Sequence, residues 1–287
     1  MKSRINNVMD NVLRHLKFAL IPRGPILDIG SGGAPFWRSN VLMDRYVDND
    51  IQRPAALIVD RSMVCGDIHA IPFQNKSFNF VHCSHVLEHV QDPAKAIGEM
   101  MRIAKAGYIE TPSAFQELAI LNFPFHRWFV TRKNNVLIFR EKSENLRPEY
   151  AMLTELLIES LTEEHTKRSP FERILFIKHF WEEYVQFQVE RSLNAIRPFD
   201  MESNVEIKDA AEAATPTLEY RLKRKLEYAL RAAYKVDFNY LEFLACPICK
   251  SAVKIKKEVV ECDRCRVEYP IIRSVPYLLA ERAEKVL

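Results

Sequence analysis

Cys246-Pro247-Ile248-Cys249 and Cys262-Asp263-Arg264-Cys265 form two CxxC pairs with twelve residues between them. Each pair bends its thiolates toward one point, and two such knuckles complete a tetrahedral sulfur site for Zn2+. Polar and charged residues surround the pairs, which argues against four core thiols. Four protein ligands leave no open position, so the expected zinc is structural. A second group of interest lies near the start, where Ile26, Leu27 and Ile29 run into Gly30-Ser31-Gly32-Gly33. Backbone without side chains at a strand-to-helix turn lets a nucleotide-like ligand approach closely. A following strand should end in an acid able to accept hydrogen bonds from ribose, and Val41-Leu42-Met43-Asp44 supplies one; Asp48 and Asp50 compete for the role.

The elements that must hold these residues are legible in outline. Apolar residues from Ile5 to Leu20 recur at helical spacing. Short apolar runs at Val41 to Met43, Val64 and Cys65, Phe80 to Cys83, and Tyr108 and Ile109 predict further strands. Asp92 is placed to cap, and Pro93 to open, a helix over Lys95 to Lys105. Strands alternating with helices imply parallel pairing, because a parallel crossover needs about a dozen residues. The first part is therefore α/β, with Val136 to Phe139 as its expected last strand. From Asn145 to about Tyr240 the spacing in YAMLTELLIESL, ERILFIKHFWEEYVQFQVERSL and EYRLKRKLEYALRAAY predicts three helices, with Arg197 to Thr217 as a connection.

The 287 residues allow one full core and something smaller. Charges interrupt every apolar run at the N-terminus, so no signal peptide or membrane span is expected. The 41 basic and 38 acidic residues nearly balance, giving +3 overall and no electrostatic case for nucleic acid. Cys65 and Cys83 stand alone in apolar runs, and metal-paired cysteines with core thiols suggest a reducing, cytoplasmic setting.

LDIGSGG, then VCGDIHAIPF, then SFNFVHCSHVLEHVQDPAKAIGEMMRIAKAGYIETP, resembles the class I methyltransferases of the small-molecule type, over roughly residues 20–140. The resemblance implies a seven-stranded Rossmann-like sheet binding S-adenosylmethionine. It implies that Asp28 to Gly32, with Gly30, surround the methionine part of the cofactor and that Asp44 holds the ribose. It further implies that Asp67 and the backbone of Ile68 read the adenine, and that Cys83 and Ser84 lie beside the sulfonium. The stretch APFWRSN is too short for the family's usual first helix, which bears on Asp44. Methyl transfer needs a base only for a protonated acceptor. His85 is the first candidate for that base; alternatively His85, Glu88 and His89, at i, i+3 and i+4, form the exposed face of a helix start. His126 and Arg127 are candidates for the acceptor pocket, beside a Trp128 that could equally be core.

The C-terminal segment LACPICK...ECDRCRVEYPIIRSVPYLL is similar to the Trm112-like zinc modules, whose stand-alone relatives activate methyltransferases. The resulting expectation is a methyltransferase domain at 1–143, a helical insert or lid at 144–240 and a zinc ribbon at 241–287. If the ribbon is a built-in partner, Ile271, Ile272, Val275 and Tyr277 should pack on the rest of the chain. Small-molecule, glycan or lipid-intermediate acceptors are favoured over tRNA, since no basic groove interleaved with aromatics is visible.

Overall fold

The computed structural model describes residues 18–48, 55–118, 125–143, 175–193, 195, 218–234 and 236–285. The expected helix up to residue 17, the segment YAMLTELLIESL, residues 197–217 and Asp50 lie outside the described residues.

Five parallel strands form the centre: β1 (Ile26–Ile29), β2 (Val41–Asp44), β3 (Ser62–Gly66), β4 (Phe78–Ser84) and β5 (Ala104–Pro112). Their order is β3-β2-β1-β4-β5, so the chain reverses direction across the sheet between β1 and β4. In such sheets ligands bind beyond the carboxyl ends at that point. Helix α1 (Pro93–Ile103) makes the crossover from β4 to β5. As expected, Asp92 caps it, accepting from the Lys95 N–H at 3.1 Å, and Pro93 opens it. Ala96, Ile97, Met100 and Ile103, spaced along one stripe, are buried against the sheet.

Alternation along the strands gives the sheet two different faces. Leu27, Ile29, Val81 and Cys83 face α1, whereas Ile26, Phe80 and Tyr108 join Phe18, Phe36 and Trp37 in a second cluster. No helix follows β1; Phe36 and Trp37 occupy that face, and Leu230 and Tyr234 from the end of helix α2 (Leu218–Ala233) pack against them. The helix expected in EYRLKRKLEYALRAAY is thus present, and it covers the ground left bare by the short APFWRSN stretch.

Two expectations are corrected. The segment ERILFIKHFWEEYVQFQVERSL is not a helix: it contains β8 (Phe176–Glu182) and β9 (Phe187–Glu190). β8 lies antiparallel to β5 over seven pairs, from Ala106↔Glu182 to Pro112↔Phe176. His179 and Trp181 point inward while Phe180 is exposed, a period-two pattern that helical spacing had masked. Trp181 closes on Gly107, where an added Cβ would meet its indole at 2.6 Å. The strand expected at Val136 to Phe139 is β7 (Val136–Glu141), and it belongs to a separate sheet with β6 (Trp128–Lys133) and β9.

The cysteine segment supplies β10 (Lys254–Ile255), β11 (Val259–Cys262), β12 (Val267–Ile272), β13 (Val275–Leu278) and β14 (Glu284–Lys285). β13 pairs in parallel with β3, Tyr277 opposite Cys65 and Leu278 opposite Gly66, so one sheet runs from the ribbon into the α/β core. Val275, Tyr277 and Leu279 are buried with Leu42, Met63 and Cys65. Ile271 packs partly on the main core, but Ile272 is 38% exposed and does not take part. Burial of a large apolar side chain contributes about 1.5–3 kcal/mol, so these three buried residues, two on β13 and one just after it, make the junction a continuous core. No helix among the described residues is long and apolar enough to cross a membrane.

Candidate functional site

The carboxyl ends of β1 to β4 converge on the glycine turn. Gly30 and Gly32 take φ of +66° and +48°, a region open to glycine and costly for other residues. The turn is fastened to β2: the Gly30 N–H donates to Met43 O at 2.7 Å and the Gly32 N–H to Asp44 Oδ2 at 3.2 Å. An added Cβ at Gly30 would overlap the Cγ2 methyl of Val86, so this glycine also admits the loop after β4. Ser31 is 5% exposed and its hydroxyl has no hydrogen-bond partner among the described residues. An orphaned buried hydroxyl at such a turn suits a polar ligand.

The acids divide clearly. Asp28 is 2% exposed; its two oxygens accept from the Phe36 N–H at 2.7 Å and meet His82 Nδ1 at 2.8 Å. His82 is stacked between Phe36 and Tyr108, and with Asp28 it supports the turn from beneath. Asp44 is 7% exposed and lies against the Gly32 N–H, facing the turn. Asp48 instead accepts from the Tyr277 hydroxyl at 2.6 Å and pairs with Arg282 at 3.2 Å, so it is committed to the ribbon. Asp67 caps the 3-10 turn Ile68–Ala70, receiving the His69 N–H at 2.8 Å and pairing with His69 and Arg45. Burial pushes its carboxyl up, but these partners outweigh that and hold it below the usual range. Arg45 reaches on to Glu281 of the ribbon at 2.8 Å. Ile68 is buried.

Near the end of β4, Cys83 is buried and burial pushes its thiol well above the ordinary value, which makes it inert. Ser84, half-buried, ends the strand. His85 adopts φ +56°, a conformation rare outside glycine and often retained at functional positions. Its N–H donates to Glu110 O at 2.8 Å, and its ring lies 3.3 Å from Glu88 and 3.9 Å from Glu110. The imidazole is 47% exposed. Burial lowers its proton affinity, but the Glu88 and Glu110 carboxylates outweigh burial and raise it.

Glu88 is 1% exposed, which rules out the alternative of an exposed helix face. His126 stands behind His89, ring centroids 4.6 Å apart, and pairs with Glu117 at 2.6 Å; it is 5% exposed. Lys142 joins Glu117 in the same buried cluster. Trp128 is core, its indole N–H donating to Val90 O at 2.6 Å, and Arg127 pairs with Glu141 at 2.8 Å. Glu110, Glu117 and Lys142 were not singled out in the sequence. Glu110 carries the one usable signal, a carboxylate directly after the apolar pair Tyr108 and Ile109.

The four ribbon cysteines are free thiols with all Sγ atoms within 4.8 Å of one another. Cys246 and Cys265 are 3.9 Å apart and Cys249 and Cys262 3.6 Å. A tetrahedral ion with bonds of about 2.3 Å needs sulfurs about 3.8 Å apart, so the set fits such a metal.

Residues 27–109 match the family described as "Methyltransferase domain", and residues 237–274 the family "Trm112p-like protein". The UPF0434 protein of Nitrosococcus oceani is 44% identical over 52 residues, 17% of this chain and 88% of that protein. A demethylmenaquinone methyltransferase of Renibacterium salmoninarum is 42% identical over 48 residues, 17% of this chain and 20% of that protein. Among solved structures, a complex of the Haloferax volcanii Trm112 methyltransferase activator with a protein described as a methyltransferase shows 21% identity and a TM-score of 0.26, covering 32% of this chain. The chain spans 48% of that structure's matched chain. The chain therefore belongs with the UPF0434 proteins, and the Trm112p-like family that its module matches, through its C-terminal module, while residues 27–109 of its N-terminal α/β domain are similar to the methyltransferase domain family.

Proposed function

We propose that this chain methylates a small-molecule, glycan or lipid-intermediate acceptor, with S-adenosylmethionine lying across the carboxyl ends of β1 to β4. The observation that carries this reading is the convergence of the left-handed Gly30 and Gly32, the facing Asp44 carboxylate and His85 at the switch point of the sheet. The turn from Asp28 to Gly32 would hold the methionine part, Asp44 the ribose, Asp67 and the Ile68 N–H the adenine, and Cys83 and Ser84 would flank the sulfur. The unpartnered Ser31 hydroxyl supports a polar ligand at the turn. When bound, the cofactor supplies a methyl group on a positively charged sulfur. The protein's main task is then to align the acceptor. His85, exposed at the end of β4 and flanked by two carboxylates, is assigned to accept a proton from an acceptor O–H or N–H. His126 supports that region from behind His89.

The four-cysteine cluster is assigned to structural zinc, whose tetrahedral geometry its sulfur spacing fits. One observation favours a second reading of the acceptor: the Trm112p-like module raises methylation of tRNA or of a translation protein. Incubating the purified chain and labelled cofactor with small-molecule, lipid, RNA and protein fractions separates the readings. Label in the first two is expected; label confined to RNA or protein would overturn the proposed acceptor class. Calorimetry with the cofactor alone tests the binding assignment independently.

A further inference from the structure

We propose that Glu88, His89 and His126 form a second metal site, separate from the cysteine cluster and built for a first-row divalent cation. One ligand atom from each of the three lies within 4.8 Å of the others. Bonds of about 2.0–2.2 Å bring such atoms somewhat closer together, a change within reach of small side-chain rotations.

Two further observations point to an ion there. Glu88 is 1% exposed, yet its carboxylate meets only ion-pair contacts, His85 at 3.3 Å and His89 at 3.9 Å, and neither of its oxygens nor His89 Nδ1 has a well-formed hydrogen bond among the described residues. A buried carboxylate held only by such loose contacts is under-satisfied, and a cation at this point would complete the coordination of both side chains. The third ligand is prepared by its own neighbour. His126 Nδ1 lies 2.6 Å from Glu117 Oε2, and the other Glu117 oxygen is bonded to Lys142. Glu117, whose other oxygen Lys142 engages, is placed to accept the proton of His126 Nδ1, and in that tautomer Nε2 is the nitrogen that would ligate a metal. A carboxylate on the far nitrogen is the usual support of a metal-bound imidazole.

The backbone also fixes the two loops that supply the ligands. The N–H groups of Arg127 and Trp128 both donate to Glu88 O, at 2.7 and 3.3 Å, and the Trp128 indole donates to Val90 O. Ligands held in this way need little reorganisation on binding. Two imidazoles and one carboxylate suit zinc, iron, cobalt or nickel better than calcium or magnesium, which prefer all-oxygen shells. Three protein ligands leave positions for water or for an acceptor oxygen, and His85 stands 3.3 Å from Glu88 at the margin of the cluster.

The test uses the full chain with its cysteine cluster loaded with zinc and Co2+ as the probe. Equilibrium dialysis and visible spectra are expected to show one further equivalent of Co2+, without the intense thiolate-to-cobalt bands of a cysteine site. Glu88→Gln and His126→Ala should abolish that equivalent while one zinc is retained, and Glu117→Gln should weaken it about 10–100-fold. Thermal unfolding of each variant identifies any that fails to fold, and the wild-type titration stands independently of them. No second equivalent in the wild type up to millimolar Co2+, or an unchanged one in a folded His126→Ala protein, overturns the proposal. Cofactor binding, read separately by calorimetry, is not at issue in either result.

Discussion

Replacing Gly30 with alanine should damage the protein through two separable effects. The first is conformational: a left-handed φ of +66° costs a residue with a Cβ about 1–2 kcal/mol. The second is steric, since the new methyl would overlap Val86 Cγ2, and forcing an extra carbon into a packed contact costs about 1–3 kcal/mol. Together they predict a loss of about 2–5 kcal/mol. The geometry says how to pull them apart. Val86 Cβ stands 3.6 Å from the added carbon, an ordinary contact, so Val86→Ala removes the overlap and leaves the φ penalty. A double-mutant cycle read by urea unfolding should therefore show a favourable coupling of about 1–3 kcal/mol between the two substitutions. The residue before Val86 is His85, so Gly30→Ala should also disturb methyl transfer more than the double variant does. Strict additivity of the two stability losses, or a Gly30→Ala protein as stable as wild type, would refute the reasoning.

Asp44→Ala removes the acceptor for the Gly32 N–H as well as the assigned ribose contact, so cofactor affinity by calorimetry should fall by about 1–3 kcal/mol; unchanged affinity would take Asp44 out of the site. Burial, and after it the Arg132 guanidinium, push His179 down to about 4. A histidine kept neutral in the fold but free to charge when unfolded makes the unfolded chain bind more protons between about pH 6.5 and pH 4. Stability should then fall as pH drops through that window, by on the order of 3 kcal/mol, and His179→Phe should flatten the slope; an equal slope in that variant would assign it to other groups. Cys265→Ser, or a strong chelator, should remove an ion worth on the order of 10 kcal/mol of apparent binding energy and unfold the ribbon. Hydrogen exchange at Cys65 and Gly66 on β3 should accelerate at the same time, and protection unchanged there would show that β13 holds without the ion.

What could be read in the sequence was what is decided locally. Asp92 and Pro93 announce α1 because a cap and a first helical proline need only their own neighbours. The CxxC pairs and the glycine turn are equally self-contained, and Asp44 is a carboxylate at the end of an apolar run. What remained hidden depends on distant partners. FIKHFWE became a strand because the free edge of β5 takes it, and its helix-like spacing carried no trace of that edge. The buried state of Glu88 is set by Arg127, Trp128 and His126, dozens of residues away, so i, i+3 and i+4 spacing alone suggested a solvent face. Asp48 looked like a rival to Asp44 until Tyr277 and Arg282 were seen to occupy it. The pairing of β13 with β3 likewise leaves no mark at either strand.

That pairing has a consequence for biogenesis. An unpaired sheet edge is a template for aggregation, and β3 precedes its partner β13 by some two hundred residues. At about 5–20 residues per second, the nascent chain must carry this open edge for roughly 10–40 s before residues 275–278 emerge. A separate polypeptide carrying the covering strand would have to find the edge by diffusion at cellular dilution. Here the covering strand arrives tethered, and a tether of this kind raises its local concentration to about the millimolar range. Every copy of the α/β domain thus receives its own cover in fixed one-to-one proportion, and cells need not balance the synthesis of two polypeptides.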